Sequence, residues 1–150
     1  MTGLRVEYVY GPKKLVSALW FAHQFIVTCL NGPAQYAALS VLNGSQNCVK
    51  EMVREFDRRR RLVYKRLNEI DGFDCMLPKG AFYVFPNITA FGMSSDEFVE
   101  FLLREAKVAT APGSSFGSYG EGYIRISYAS SYQKLEEALD RIEKAVGHIK

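Results

Sequence analysis

Tyr123-Ile124-Arg125-Ile126-Ser127-Tyr128-Ala129 is a run of apolar and aromatic residues with a single guanidinium set inside it. β-branched and aromatic side chains suit a pleated, half-buried surface, so this run reads as a strand. Before it, Lys107 to Ala111 reads as another strand, and shorter ones are expected near Phe73 to Met76 and over Ala81 to Asn87. Helices fall between them. Ser94 followed by Glu97 spells a capping box, opening a helix to about Ala106. After Ala129, the residues Leu135, Ala138, Leu139, Ile142, Ala145, Val146 and Ile149 recur on one face of a final helix. Strands alternating with helices from Asp71 onward define an α/β pattern, a small sheet covered by helices.

Towards the N-terminus the character changes. A long helix is expected over Asn47 to Ile70, with Val49, Met52, Val53, Phe56, Val63, Leu67 and Ile70 on one face. Lys50, Arg54, Arg58, Arg61 and Lys65 lie opposite. The run Arg58-Arg59-Arg60-Arg61 therefore circles the helix and forms no single patch; it reads as the continuation of a solvated basic face. Asn43-Gly44 marks a boundary between two parts. Before it, Asn31-Gly32-Pro33 supplies a cap and a helix-starting proline for Ala34 to Leu42. Lys13 to Phe25 reads as a further helix, and Leu4 to Tyr10 as a strand ended by the Gly11-Pro12 turn.

Composition narrows the class. The chain has 150 residues, 48% hydrophobic and 23% charged, with ten Phe and nine Tyr. That suits a folded domain with a sizeable core and excludes disorder, collagen-like repeats and a disulfide-rich miniprotein. A net charge of +3 gives no argument for nucleic acid or an anionic membrane. Cys29, Cys48 and Cys75 are odd in number with no CxxC pair, which points to a reducing, cytoplasmic setting, each thiol acting as a small buried hydrophobe. His23 and His148 have no partners at metal-ligand spacing, so no metal site is expected. Asn43-Gly44-Ser45 and Asn87-Ile88-Thr89 spell glycosylation acceptors, which are discounted because no signal peptide precedes them. No acidic or basic residue occurs from Leu15 to Val49, yet His23, Gln24, Thr28, Asn31, Gly32 and Pro33 interrupt it well short of a membrane span. Such a stretch is expected to be buried, in the core or under a partner subunit.

Several motifs compete for the chemistry. Gly113-Ser114-Ser115-Phe116-Gly117 matches the G-x-S-x-G elbow of serine hydrolases. That motif needs a helix after the serine and a later histidine base. Here glycines and a strand follow, and the one later histidine, His148, sits in the last helical turn. The hydrolase reading is rejected. A phosphate cradle fails too, since neither G-x-G-x-x-G nor a P-loop ending is present. Arg125 remains: a permanent charge in an apolar strand either pairs within the fold or faces a site, and its planar fork suits a carboxylate. Arg5 makes a weaker case of the same kind.

Four ordered segments carry a family likeness: Met1-Thr2-Gly3-Leu4-Arg5, Gly80-Ala81-Phe82-Tyr83-Val84-Phe85-Pro86, Pro112-Gly113-Ser114-Ser115-Phe116-Gly117, and Tyr123 to Ala129. Together they resemble the C-terminal part of class I/II pyridoxal-phosphate-dependent aminotransferases, the aspartate-aminotransferase-like family of fold type I. The resemblance spans essentially the whole chain. It implies an end piece of the large cofactor domain over residues 1–44 and the small domain, a sheet covered by helices, over 45–150.

The resemblance also implies roles. The parent activity is amino-group transfer between an amino acid and a 2-oxo acid, with pyridoxal 5'-phosphate as cofactor and a homodimer or other oligomer as the assembly. Arg5 corresponds to the arginine that grips the cofactor phosphate. Arg125 corresponds to the arginine that binds the substrate α-carboxylate, and Phe82 to an aromatic near the substrate. In the family the lysine that forms the Schiff base lies eight residues before the phosphate arginine, which puts it before Met1; no catalytic residue is expected within these residues, and the chain alone is expected to be inactive. Leu4 stands where tryptophan is common and Glu7 where glycine is frequent, placing a carboxylate beside Arg5. A catalytically dead binding or regulatory module, and a pyridoxal-phosphate lyase or synthase of the same fold, are the alternative readings.

Overall fold

The structure is a computed structural model that describes residues 2–149. It divides into two compact units, Met1–Lys50 and Glu51–Lys150.

The first unit is helical. Helix α1 spans Lys13–Val27 and α2 spans Gly32–Asn43. Asn31 caps α2, its side-chain oxygen accepting from the Ala34 N–H at 3.0 Å, and Pro33 occupies the first turn, where a missing N–H costs nothing. At the other end, the Gln46 side-chain amide donates to the carbonyls of Val41 (2.9 Å) and Gly44 (3.1 Å). The strand expected over Leu4 to Tyr10 does not form: a short 3-10 turn over Thr2–Leu4 leads into irregular chain. A strand is stabilised by a neighbour's backbone, and among the described residues none pairs with this segment.

The long uncharged stretch is not in the core of this chain. No side chain of α1 is buried, and in α2 only Ala34 is. Trp20 is 66% exposed and Phe25 77%. Cys29 and Cys48 are exposed as well, so only Cys75 is the buried hydrophobe expected of all three. Apolar spacing made these helices amphipathic, but burial needs a second surface, and the described residues cover only Ala34 of them.

Helix α3 runs Asn47–Glu69. Its apolar face is covered over one half only: Val63 and Leu67 are fully buried, whereas Val49, Met52 and Val53 stand exposed. From there the second unit builds a three-stranded antiparallel sheet in the order β1 (Tyr83–Val84), β3 (Ile124–Ser127), β2 (Ala111–Pro112). Tyr83 faces Ser127 across the first pair, and Ala111 faces Arg125 across the second. Pro112 is tolerated because β2 is an edge. Helices α4 (Ser95–Phe101) and α5 (Tyr132–Val146) complete the unit. Val63 and Leu67 of α3, Phe98 of α4, Leu139 and Ile142 of α5, and Val84, Ile124 and Ile126 of the sheet form one core. Arg66 ties α3 to α5 through Asp140 (2.7 Å) and Glu143 (2.9 Å).

The strands are shorter than the sequence suggests, for local reasons. Near Phe73 to Met76 there is only a single bridge, Asp74 to Asn87. Beyond it the Asn68 side chain takes both backbone groups of Cys75, at 3.0 Å each, as a neighbouring strand would. β1 stops before Pro86, which has no N–H to give. The segment Lys107 to Ala111 joins the ladder only at Ala111, because Lys107 is turned to φ 56° as the cap of the preceding helix. That helix opens on the expected capping box, Ser94 with Glu97, and after Phe101 widens into a π turn over Leu102–Ala106.

The loop from Gly113 to Gly122 depends on absent side chains. A Cβ on Gly113 would lie 2.1 Å from the Gly120 carbonyl oxygen and 2.6 Å from that of Tyr123. Both obstacles are backbone and cannot swing aside. Gly113→Ala is expected to lower stability by about 1–3 kcal/mol, read as a lower urea midpoint. Gly80→Ala, where a Cβ meets nothing within 4 Å, should leave the midpoint nearly unchanged.

Candidate functional site

Strand β3 sorts its residues by face. Ile124 and Ile126 point into the core, so Arg125 and Ser127 emerge on the other side. Tyr83, opposite Ser127, is a diagonal neighbour of Arg125 on that same side. The Arg125 guanidinium carbon lies 4.4 Å from the centroid of the Tyr83 ring and 4.5 Å from that of Phe116. Phe85 stacks on Tyr123 at 5.3 Å and meets Phe116 edge-on at 6.1 Å. No carboxylate among the described residues lies within ion-pairing distance of Arg125. Of the two readings open to a charge in this strand, the structural salt bridge is therefore absent. Rings over the guanidinium leave its in-plane N–H groups uncommitted.

Phe116 reaches Arg125 on the glycine-rich loop, which is pinned at several points. The Gly113 N–H donates to the Tyr123 carbonyl at 2.9 Å. The fully buried Ser95 hydroxyl accepts from the Gly122 N–H at 3.0 Å, and the Ser95 N–H donates to the Glu121 carboxylate at 2.8 Å. Ser114 donates to Asp96 at 2.9 Å. Among the described residues neither Ser114 nor Ser115 bonds a histidine. The Glu97 carboxyl, held by the Ser94 backbone N–H and then by its hydroxyl, ionises below the usual range.

Phe82 belongs to a constrained segment. Ala81 adopts φ 61°, a left-handed conformation uncommon for any residue but glycine. Tyr128 holds this turn twice: its hydroxyl donates to the Ala81 carbonyl at 3.0 Å and its N–H to the Phe82 carbonyl at 2.9 Å. The Phe82 ring, partly exposed, sits 4.5 Å from Tyr83 and 6.0 Å from Phe56. Burial pushes the Tyr128 phenol up from its ordinary pKa.

The four-arginine run is more than a solvated face. Arg58 and Arg59 both bond Glu55, and Arg60 and Arg61 both bond Asp57. These guanidinium bonds hold the Glu55 carboxyl (Arg58 first, then Arg59) and the Asp57 carboxyl (Arg61, then Arg60) below the ordinary carboxylate range. Arg59 and Arg60 also reach out of the helix, to the carbonyls of Ala129 and Pro78 respectively. Those carbonyls flank the segments carrying Arg125 and Phe82. Their side chains are only 18% and 20% exposed, against 56% for Arg58 and 67% for Arg61.

Arg5 lies in the first unit. It is exposed, adopts φ 49°, and lines a hollow of about 460 Å³ with Val6, Glu7, Tyr8, Ala38, Val41 and Leu42. Met1, the first residue of its motif, lies outside the described residues. As a cofactor site this hollow fits in part. It offers one guanidinium for a phosphate, but a carboxylate shares the lining and no lysine or second cation does. A larger hollow of about 590 Å³, lined by Phe101, Glu105, Lys107, Arg141, Lys144 and His148 among others, includes none of Arg5, Phe82 and Arg125. No group of His, Cys, Asp and Glu among the described residues could hold a metal ion, and no helix among them is long and apolar enough to cross a membrane.

Sequence reasoning picked out Arg125 and Phe82 but not Tyr83 and Phe116. Period-2 alternation could have put Tyr83, Phe85, Tyr123 and Arg125 on one sheet face. Nothing local in the sequence signals that Phe116, on a loop, reaches the same place.

The family described as aminotransferase class I and II matches residues 1–142. An aspartate aminotransferase of Pyrococcus abyssi is 49% identical over 148 residues, covering 97% of this chain and 38% of the relative. Aromatic-amino-acid aminotransferase 2 of Thermococcus litoralis is also 49% identical, over the same shares. Among solved structures, the aromatic aminotransferase of Pyrococcus horikoshii superposes with a TM-score of 0.95 at 46% identity, covering 98% of this chain and 40% of that one. The aspartate aminotransferase of Rhizobium meliloti gives 0.92 at 39% identity, covering 98% and 39%. The chain belongs to the class I and II aminotransferase family, with the α/β architecture of fold type I. It spans about two-fifths of the length of the relatives it matches.

Cys75 is held inert within this framework. Burial, and then the nearby Asp74 charge, push its thiol from an ordinary 9.0 up to about 11. Between those values the folded state binds the proton that the unfolded state has lost, so this group's contribution to stability falls as pH rises across the window. The unfolding midpoint is expected to drop between pH 9.0 and about 11, with a shallower drop in Cys75→Ala. At neutral pH a thiol reagent should label Cys29 and Cys48 well before Cys75.

Proposed function

We propose that this chain is the C-terminal part of a pyridoxal-phosphate-dependent aminotransferase that moves an amino group between an amino acid and a 2-oxo acid. In this reading residues 1–44 are the end piece of the large cofactor domain, residues 45–150 are the small domain, and the protein works in the cytoplasm. The observation that carries the proposal is Arg125: a permanent charge on a sheet face, over two aromatic rings, with no carboxylate of the described residues in ion-pairing distance. Such a group is built to receive an anion.

Arg125 binds the substrate α-carboxylate through its two-pronged fork and so fixes the orientation of the reacting carbon. In the same reading Phe82 is the aromatic near the substrate. Arg5 contributes one charged contact to the cofactor phosphate, against the opposing charge of Glu7. When bound, the cofactor supplies the electron sink for the chemistry at the amino acid's α-carbon. The lysine that attaches the cofactor and moves the α-proton lies outside these 150 residues. No Arg or Lys occurs from Leu15 to Val49, so that stretch offers no cation for a second substrate carboxylate.

The assembly we propose is a homodimer. Its support is the exposed apolar surface of α1 and α2, including Trp20, Phe25 and Ile26, which associates in water. Sedimentation of the chain is expected to give concentration-dependent oligomers. A compact monomer with residues 1–44 resistant to protease would count against this.

Cofactor binding by the chain alone is expected to be weak. In an absorbance titration followed by borohydride trapping and peptide mapping, label should scatter over exposed lysines and change little in Arg5→Ala. Saturable micromolar binding that needs Arg5 and labels one lysine would overturn the assignment of that lysine to residues outside this chain.

A further inference from the structure

We propose that Tyr83 and Phe116 are positioning residues for Arg125, holding its guanidinium ready to meet a carboxylate. The inference rests on the reading of Arg125 as the carboxylate-binding residue and adds two partners to it. A long arginine side chain free in water samples many rotamers, and fixing it on binding costs affinity. Here that cost is met before the ligand arrives. Diagonal strand pairing brings the Tyr83 ring to 4.4 Å from the guanidinium carbon, and the loop brings the Phe116 ring to 4.5 Å. Neither ring competes for the N–H groups, since a ring face attracts the cation without accepting hydrogen bonds in its plane. An acidic partner would have fixed the same side chain and neutralised it. The rings fix it and leave its charge to the ligand.

The two partners are built differently. Tyr83 is part of the sheet, whereas Phe116 is 51% exposed and is carried by a pinned loop. That pinning uses the Gly113–Gly120 backbone approach, the buried Ser95 and the Ser114–Asp96 bond. The close packing of this loop thus has a use beyond stability: it delivers a ring to the arginine. Ring replacement is expected to matter in proportion to cation–π strength, about two- to thirty-fold in carboxylate affinity for each ring.

The test uses the 150-residue chain, with propionate as probe and propionamide as uncharged control; affinity is read from the backbone amide resonances of β3, and guanidinium rotation from the Arg125 side-chain Nε–H resonance. Phe116→Leu and Tyr83→Leu are expected to weaken propionate binding several-fold and to speed rotation of the guanidinium about its Nε–Cζ bond. Phe116→Tyr and Tyr83→Phe, which keep a ring, should restore both to within about twofold. Phe116 is exposed and outside the core, so its variants report on the ring with the fold intact even if Tyr83→Leu disturbs the sheet. If Arg125→Leu abolishes binding while Phe116→Leu changes neither affinity nor rotation, the positioning role is overturned and the carboxylate role survives. If Arg125→Leu binds propionate as the unchanged chain does, both fall together.

Discussion

The central strand β3 is the element on which the second unit turns. It alone has a strand on each side, and its two faces face different tasks. Ile124 and Ile126 draw α3, α4 and α5 onto one face, since apolar area removed from water stabilises by roughly 25 cal/mol per Å². The same pleat forces Arg125 out on the opposite face, where no acid among the described residues pairs with it. Strand register then settles which neighbours it has. Shifting β1 by one residue would replace Tyr83 beside it with an inward-facing residue and expose Val84. Core packing and the arginine's surroundings are in this sense one constraint, because a single register satisfies both.

Around that strand, the tight contacts are made by backbone more than by side chains. Gly113 and Gly120 let two loop segments touch where any Cβ would collide. Ser95 is fully buried, and its hydroxyl and N–H both serve the loop's far end. Tyr128 takes the carbonyls of Ala81 and Phe82. These bonds hold a left-handed Ala81 and an exposed Phe116 in place, two features that local energetics would not select.

The alternation of helix and strand after Asp71, the capping box at Ser94, the limits of α3 and the buried face of α5 were all legible in the sequence, because each is fixed by nearby residues. Strand lengths were not. They depend on which backbone groups find partners, as at Cys75, whose N–H and C=O are taken by the Asn68 side chain. Leu4 to Tyr10 has strand-forming residues but no strand beside it, and composition cannot report a missing neighbour. Of the candidate site, Arg125 could be found because a charge in an apolar strand is conspicuous. Phe116 could not, since its contact joins a loop to a strand through tertiary packing alone. The same limit explains the four-arginine run. Helical spacing distributes the four around the axis but does not say that a guanidinium can leave its own helix for a carbonyl.

That double attachment sets how far each arginine can be exchanged over evolutionary time. Arg59 and Arg60 each use Nε for an acid on the same helix and Nη1 for a distant carbonyl, Ala129 in one case and Pro78 in the other. A lysine has one nitrogen at the end of a flexible stem and cannot span both partners in that fixed geometry. Arg61 makes one bond, from Nε to Asp57, that an ammonium could replace, whereas Arg58 grips Glu55 through Nε and Nη2 and stacks on the Tyr132 ring at 3.9 Å. The run of four identical letters therefore hides different freedoms to change: Arg61 is open to drift between arginine and lysine, in Arg58 that exchange would give up a two-pronged grip and a stacked ring, and in Arg59 and Arg60 it would loosen the segments bearing Phe82 and Arg125.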